Sequence, residues 1–203
     1  MIYSFKNDYS KICHKDVLNK LIECMNEQNV GYGEDVHTLN AINLIKNKIK
    51  HDSDIYFLAG GTITNMIAIS SVLKPYEAVI CADTGHINVH ETGAIEGQGH
   101  KVLSIKSNDG KLNIDLIDEV IKKHIDHHMV KPKMIYISNT TELGGYYTLR
   151  ELEELSKYSK EHDLYLYLDG ARLASALAIS DIDYSDYARL TDMFYIGGTK
   201  NGS

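Results

Sequence analysis

Short runs rich in β-branched and aromatic residues alternate along this chain with segments whose apolar residues recur at helical spacing. Strands that alternate with helices in this way form parallel sheets joined by right-handed crossovers, with helices on both faces. The pattern therefore predicts an α/β domain with a mostly parallel sheet over residues 1–203. The predicted strands are 54–59, 78–82, 101–105, 134–138, 164–168 and 193–196.

Helical periodicity precedes the first predicted strand and fills the gaps between later ones. It is clearest in 112–125, where Ile114, Ile117 and Ile121 recur on one helical face. Further helices are predicted near 16–28, 37–49, 66–73 and 149–162. In sheets of this kind a ligand binds beyond the carboxyl ends of the strands, so the residues that follow each strand are the candidate site.

Composition argues against several classes of protein. With 203 residues, 43% of them hydrophobic, the chain can bury one sizeable core. Its formal net charge of −7 argues against a nucleic-acid binder, which needs clustered, unmatched basic residues. Three cysteines without a CxxC pair argue against a disulfide framework, and no apolar run reaches membrane-spanning length. We therefore expect a cytoplasmic protein that binds neither nucleic acid nor a membrane.

A glycine pair, Gly60-Gly61, follows the first predicted strand and leads into a helical run. Glycines allow the backbone to approach a phosphate, the next N–H groups point toward it, and the Thr62 hydroxyl adds a donor at the positive end of the helix. The segment lacks the common nucleotide-binding glycine spacings. An ordinary strand-to-helix turn is therefore an alternative to a phosphate site at Gly61 and Thr62.

His86 follows the second predicted strand, where an aromatic ring could stack on a planar cofactor. Two alternatives stay open: the ring could form a local hydrogen bond, or His86 and His90 could bind a metal with Glu91 beside them. A catalytic zinc site requires three dependable ligands, and the sequence marks no third one. We therefore predict no metal.

Asp169 emerges from an apolar strand, Leu164-Tyr-Leu-Tyr-Leu168. A carboxylate in such a place is poorly solvated and needs a cationic or proton-donating partner. The protonated ring nitrogen of pyridoxal phosphate is a partner of this kind. Pairing with Arg172, so as to cap the next helix, is the alternative.

Lys200 follows the last predicted strand and the glycine pair Gly197-Gly198. An amine in this position can attack the carbonyl carbon of a cofactor. Together with the phosphate turn, His86 and Asp169, it completes the parts that a pyridoxal-phosphate site requires. We therefore predict this cofactor, with Lys200, His86 and Asp169 as catalytic residues.

The combination of motifs resembles the threonine aldolases of the β-eliminating lyase group, pyridoxal-phosphate enzymes with the aspartate-aminotransferase-like fold. The likeness covers nearly the whole chain. It is carried by Lys6-Asn-Asp8, Gly31-Tyr-Gly-Glu-Asp35, Gly60-Gly-Thr-Ile-Thr-Asn65, His86-Ile87 with Glu91, Asn139-Thr-Thr141, Asp169-Gly-Ala-Arg172 and Thr199-Lys200.

The resemblance implies a set of cofactor-binding residues: Gly61, Thr62, His86, Asp169, Arg172 and Lys200. The first two would hold the phosphate, the histidine would stack on the ring, the aspartate would bind the ring nitrogen, the arginine would lie near the cofactor O3′, and the lysine would bind the cofactor covalently. Lys200 then needs a lowered pKa, which Arg172 could partly supply. The residues expected at the substrate, or at a neighbouring subunit's site in a homodimer or homotetramer, are Asn7, Tyr32 and Thr141.

The implied reaction cleaves a small β-hydroxy amino acid, threonine or allo-threonine, to glycine and an aldehyde. Thr141 stands where many threonine aldolases have a histidine that handles the β-hydroxyl, which leaves His90 or a water as the base. Family members also continue well past the lysine, so we expect residues 1–203 to form the large domain, incomplete at its C-terminus and without the small domain. Another β-eliminating lyase, an aminotransferase and an inactive truncated fragment are the alternatives.

Overall fold

A sheet of five parallel strands lies at the centre of the computed structural model, which describes residues 4–202. Its strands are β1 (Glu77–Ala82), β2 (Lys101–Ile105), β3 (Lys131–Ser138), β4 (Tyr165–Asp169) and β5 (Met193–Phe194). Their order is β2-β1-β3-β4-β5, and every neighbouring pair is parallel. Because β2 and β3 lie on opposite sides of β1, the chain reverses its direction of winding at β1 and β3. Ligands bind at such a switch point in open α/β sheets.

The helices are α1 (Lys15–Cys24), α2 (Val36–Ile49), α3 (Gly61–Val72), α4 (His86–Val89), α5 (Ala94–Gly97), α6 (Ile114–Lys123), α7 (Leu149–Glu161), α8 (Leu173–Ala178) and α9 (Tyr184–Leu190). The five long ones correspond to the predicted helices. The four short ones were not predicted, because one or two turns are too short to establish a helical period. Within residues 4–202, no helix has both the length and the apolar character needed to cross a membrane.

Two hydrophobic cores cover the two faces of the sheet. On one face, Ile80, Ile135 and Leu166 pack with residues of α6, α7 and α9. On the other face, Val79 and Met134 pack with residues of α3, α4 and α5. Successive side chains of a strand point to opposite faces, so a strand buried on both needs a continuous apolar run. The predicted α/β fold with helices on both faces is confirmed.

The predicted strand at 54–59 is wrong. In the part of the chain that the structure describes, no strand pairs with this segment. Its large apolar residues are exposed: Tyr56 by 79%, Phe57 by 55% and Leu58 by 42%. A strand needs a neighbour to satisfy its backbone N–H and C=O groups, and a local apolar pattern does not show whether one is present.

Two loops at the carboxyl ends of β4 and β5 lie backbone against backbone. The Gly197 N–H donates to the Gly170 carbonyl at 3.0 Å. A Cβ atom on Gly170 would lie 1.9 Å from the Tyr195 carbonyl oxygen, and one on Gly197 would lie 2.7 Å from the Ala171 carbonyl oxygen. Only glycine fits at both positions, and this close approach holds the loop that carries Lys200 against the loop that follows β4.

Candidate active site

Asp169, the last residue of β4, accepts hydrogen bonds in a buried network. Its Oδ2 accepts from the Tyr136 hydroxyl at 2.6 Å and from the Asn65 amide at 3.2 Å, while Oδ1 accepts from the Ala171 N–H at 2.9 Å. All of these donors are neutral. Among residues 4–202, Asp169 has no partner in an ion pair. Arg172, its alternative partner, binds Asp8 instead. A buried carboxylate held in this way is suited to stabilise a protonated ring nitrogen.

Asn65 connects helix α3 to this carboxylate. Besides its bond to Asp169, its amide nitrogen donates to Glu91 Oε1 at 2.7 Å, and its oxygen accepts from the Tyr167 hydroxyl at 2.7 Å. The side chain is completely buried. Asn65 lies about one helical turn after Gly61, so these bonds fix the N-terminus of α3 relative to β4.

The N-terminus of α3 has the features of an anion site. The helix begins at Gly61, and no side chain caps its first N–H groups. The Thr64 N–H and hydroxyl both donate to the Gly60 carbonyl, at 3.1 and 2.8 Å. Uncapped N–H groups at the positive end of a helix attract phosphate. A Cβ on Gly61 would lie 3.2 Å from the Tyr195 hydroxyl oxygen, so a glycine is favoured there.

His86 opens helix α4, and a buried carboxylate orients its ring. Its Nδ1 lies 2.7 Å from Glu91 Oε1, and the Glu91 side chain is completely buried. This hydrogen bond raises the pKa of His86 above its usual 6.5, although burial of the ring acts in the opposite direction. In the described part of the chain, His86 and His90 belong to no group of three ligands close enough to hold a metal.

We expect Glu91→Gln to lower the pKa of His86. The substitution removes the carboxylate that raises this pKa and leaves the burial that lowers it. A proton NMR titration of the His86 ring should give a midpoint above 6.5 in the unsubstituted protein and a lower one in the variant. Because the pKa is raised in the folded state, the stability from this pair is present below the unfolded pKa and is lost as the pH rises through the folded one.

The control for this titration is Glu96→Gln, which changes an exposed glutamate five positions further along the chain. This variant should leave the midpoint of His86 where it was. Equal midpoints in Glu91→Gln and the unsubstituted protein would contradict the ion pair.

Lys200 is half-buried in the turn that follows β5. Burial lowers the pKa of its amine below 10.5, and the guanidinium of Arg172 lowers it further, while the carboxylates of Asp8, Asp169 and Glu142 act in the opposite direction. The predicted lowering of this pKa is confirmed, but burial is a larger cause than Arg172. A lower pKa enlarges the fraction of free amine, which is the form that attacks a carbonyl carbon.

Arg172 is held by a two-pronged ion pair with Asp8. Its Nε and Nη2 atoms donate to the two carboxylate oxygens of Asp8, at 2.5 and 3.2 Å. The hydrogen bond from Arg172 is the largest cause of a lowered Asp8 pKa. Sequence analysis missed this contact, because nothing in a local pattern joins residues 164 positions apart.

The residues predicted at the substrate or at a neighbouring subunit lie in different surroundings. The Thr141 hydroxyl is buried, donates to the Asp109 carbonyl at 3.0 Å and accepts from the Gly145 N–H at 3.1 Å. Its polar atoms are therefore used within its own loop. Asn7 lies beside Asp8, and Tyr32 is fully exposed. The roles of Asn7, Tyr32 and Thr141 toward a substrate stay predictions.

Glu142, which sequence analysis did not assign, connects the carboxyl ends of two strands. Its Oε1 accepts from the Ser138 hydroxyl at 2.8 Å and from the His86 N–H at 3.2 Å. Ser138 ends β3, and His86 follows β1. The carboxylate of Glu142 therefore lies at the switch point of the sheet.

These groups together fit a phosphorylated aldehyde that carries a basic ring nitrogen. The uncapped N-terminus of α3 suits the phosphate, and the Asp169 carboxylate suits a protonated nitrogen. The amine of Lys200 suits the aldehyde, since its pKa is lowered. The chemistry of the donor set is that of a pyridoxal-phosphate site.

Comparisons with known proteins agree with this geometry. A family model described as beta-eliminating lyase matches residues 10–203. A low-specificity L-threonine aldolase from a Pseudomonas species is 36% identical over 175 residues, which are 84% of this chain and 51% of that protein. This chain spans about half the length of the curated relatives it matches.

Solved structures give the same answer for the fold. A threonine aldolase from Leishmania major superposes with a TM-score of 0.98 at 51% sequence identity, over 100% of this chain and 60% of the other. An archaeal alanine:glyoxylate aminotransferase superposes with a TM-score of 0.59 at 20% identity, over 76% of this chain and 39% of the other. The second likeness concerns the fold alone, which this chain shares with an aminotransferase.

Proposed function

Because this chain belongs to the β-eliminating lyase family, we propose that its protein is a pyridoxal-phosphate-dependent aldolase that cleaves threonine or allo-threonine to glycine and an aldehyde. One observation carries the proposal: the Gly197 N–H donates to the Gly170 carbonyl at 3.0 Å, which holds the loop of the half-buried Lys200 against the loop that follows the buried Asp169 carboxylate. The relatives named above as threonine aldolases support the choice of substrate. We assign residues 1–203 to the cofactor-binding large domain.

Each part of the site has a task toward the cofactor. We assign the phosphate to the backbone N–H groups at Gly61 and Thr62, and the face of the ring to His86. Pyridoxal phosphate, when bound, supplies an electron sink for the pair released at the Cα of an amino acid. We assign Lys200 to the covalent attachment of this group through its Nζ atom.

Asp169 holds a proton at the ring nitrogen. Its carboxylate is fixed by bonds from Tyr136 and Asn65, so its position does not depend on the ligand. In a buried site a negative charge favours the protonated form of a neighbouring base. By keeping this proton in place, Asp169 would support cleavage of the Cα–Cβ bond of the substrate.

Arg172 and Asp8 shift the pKa of Lys200 in opposite directions. The positive charge of Arg172 lowers the pKa of Lys200, and the negative charge of Asp8 raises it. The two form an ion pair, so their effects on the amine partly cancel. Burial is then left as the main influence that keeps the amine in its free, nucleophilic form.

Product analysis tests this proposal. The natural protein that carries this sequence, supplied with pyridoxal phosphate, should convert L-threonine and L-allo-threonine to glycine and acetaldehyde in equal amounts. The coupled release of an aldehyde is measured with an alcohol dehydrogenase, and glycine by amino-acid analysis. Ammonia with 2-oxobutanoate would instead show β-elimination, and a keto acid formed only with an amino-group acceptor would show transamination.

We also propose that the protein forms a homodimer or homotetramer. Helix α1 is amphipathic and buries none of its residues, so Val17, Leu18, Leu21 and Ile22 are all exposed. Most other exposed large apolar residues also lie before residue 68, including the fully exposed Tyr32. Exposed apolar surface beyond scattered single residues is typical of interaction surfaces. We propose that a second copy of the chain binds the exposed apolar surface described here.

A cytoplasmic location is part of the same proposal. All three cysteines, Cys13, Cys24 and Cys81, are free thiols. Free thiols are typical of proteins in a reducing compartment.

A further inference from the structure

Cleavage of a β-hydroxy amino acid requires a base for the hydroxyl proton. The oxygen becomes a carbonyl oxygen only when its O–H bond breaks. Thr141 cannot serve, because its hydroxyl is a weak acid and is already bonded to Asp109 and Gly145. His90 lies on the exposed surface. The remaining candidates for the base are the other side chains at the carboxyl edge of the sheet.

Several carboxylates lie at this edge, and most of them already have partners. Asp8 is paired with Arg172, and Asp83 accepts from the Ser107 N–H. Asp169 is bound by Tyr136 and Asn65, and its position suits the ring nitrogen. Glu91 Oε2 also has no hydrogen bond to the described residues, but the Oε1 of this completely buried side chain is bound to His86 and Asn65, so its task is to orient the His86 ring. Glu142, which is bonded to Ser138 and to the backbone of His86, is the remaining candidate.

Glu142 is placed by two neutral donors and keeps one oxygen without a partner. Its Oε1 accepts from the Ser138 hydroxyl and the His86 N–H, and its Oε2 is buried with no hydrogen bond to the described residues. A buried carboxylate oxygen without a donor is uncommon, because its desolvation is uncompensated. The hydroxyl of a ligand is a donor of matching chemistry.

The charge of Glu142 also acts on the lysine. Its carboxylate is one of the groups that raise the pKa of Lys200. Its side chain also accepts a hydrogen bond from the backbone N–H of His86, the residue assigned to the cofactor ring. Glu142 is therefore in contact with His86 and within electrostatic range of Lys200, the two residues assigned to the ring and the aldehyde of the cofactor.

Resting on the proposed function, we propose that Glu142 is the catalytic base that takes the β-hydroxyl proton of the substrate. The O–H bond breaks, its proton bonds to the carboxylate, and its electron pair becomes the second bond of the aldehyde carbonyl. The Cα–Cβ bond breaks at the same time, and its electron pair goes to Cα. A proton then adds to Cα, so glycine and the aldehyde together contain every atom of the substrate.

The test is Glu142→Gln, because an amide keeps an oxygen for Ser138 and for the His86 N–H but cannot take up a proton at neutral pH. We expect kcat for threonine cleavage to fall by roughly 10²- to 10³-fold, the scale of a lost general base. Exchange of the glycine α-hydrogen with D2O, followed by NMR, should be unchanged, since glycine has no β-hydroxyl. The dissociation constant of pyridoxal phosphate, from equilibrium dialysis, should also be unchanged.

Two further variants separate a base from a residue with a structural role. Ser138→Ala removes a hydrogen bond to Glu142 but leaves its carboxylate, so most of the cleavage rate should remain. His90→Gln removes the exposed histidine and should leave kcat unchanged.

The outcomes distinguish this proposal from the function on which it rests. Full cleavage activity in Glu142→Gln would overturn the assignment of the base and leave the aldolase in place. Equal losses of threonine cleavage and of glycine exchange would overturn it as well, since they would indicate a structural role. An unsubstituted protein that binds the cofactor but catalyses neither reaction would overturn the proposed function itself.

Discussion

Lys200→Ala should abolish covalent attachment of pyridoxal phosphate and lower threonine cleavage by roughly 10³-fold or more, the scale seen when a catalytic nucleophile is removed. The reason is chemical, because alanine has no amine to bond to the aldehyde carbon. Reduction with borohydride followed by peptide mass spectrometry should find the cofactor on the peptide that contains Lys200, and no such peptide in the variant. The visible absorption of the bound cofactor should change in parallel.

Lys200→Arg and Lys106→Ala complete this experiment. Arginine keeps the positive charge but is not a nucleophile at neutral pH, so this variant should fail as Lys200→Ala does. Lys106 is exposed, and its replacement should change neither the attachment nor the rate. Borohydride-stable cofactor in Lys200→Ala would show that another amine forms the bond.

Asp169→Ala should cost the protein both stability and activity. The substitution removes the acceptor of the Tyr136 hydroxyl and of one N–H of the Asn65 amide, whose other N–H keeps its bond to Glu91. Each buried polar group left without a partner costs about 1–3 kcal/mol, so the free energy of unfolding should fall by about 3 kcal/mol. Urea denaturation of the protein without cofactor measures this loss separately from any effect on catalysis.

Asp169→Asn separates the two effects. Its amide oxygen can still accept from Tyr136, so less stability should be lost than in the alanine variant. The negative charge is lost in both, so under the role proposed for Asp169 the ring nitrogen would no longer be held protonated, and threonine cleavage should fall in both. An asparagine variant with full activity would show that the charge of Asp169 does not act on the cofactor.

The strands at the centre of the sheet could be predicted because their signal is local. Residues 78–82 and 164–168 are continuous apolar runs, as expected for strands that are buried on both faces. Residues 54–59 have the same local pattern, yet no described strand pairs with them. Pairing depends on residues distant in sequence, and a window of six residues does not contain that information.

In the candidate site, too, the sequence predicts the features that are local and misses the contacts between distant residues. Lys200, Asp169, His86 and Gly61 were predicted because each follows an apolar run or a glycine pair, which a sequence shows directly. Their supporting contacts were missed, since Asn65 lies 104 positions from Asp169 and Asp8 lies 164 positions from Arg172. The lowered pKa of Lys200 was predicted in direction, but its main cause, burial, is a property of the folded chain.

The contact between the loops at Gly170 and Gly197 links ligand occupancy to the local stability of the sheet edge. Strand β5 is only two residues long, and its continuation, which carries Lys200, is held against the Asp169 loop by backbone contacts. A ligand joined to Lys200 and bound by Asp169 bridges these two loops. Ligand binding then stabilises β5 against fraying. By thermodynamic linkage, an intact β5 strengthens ligand binding by the same free energy.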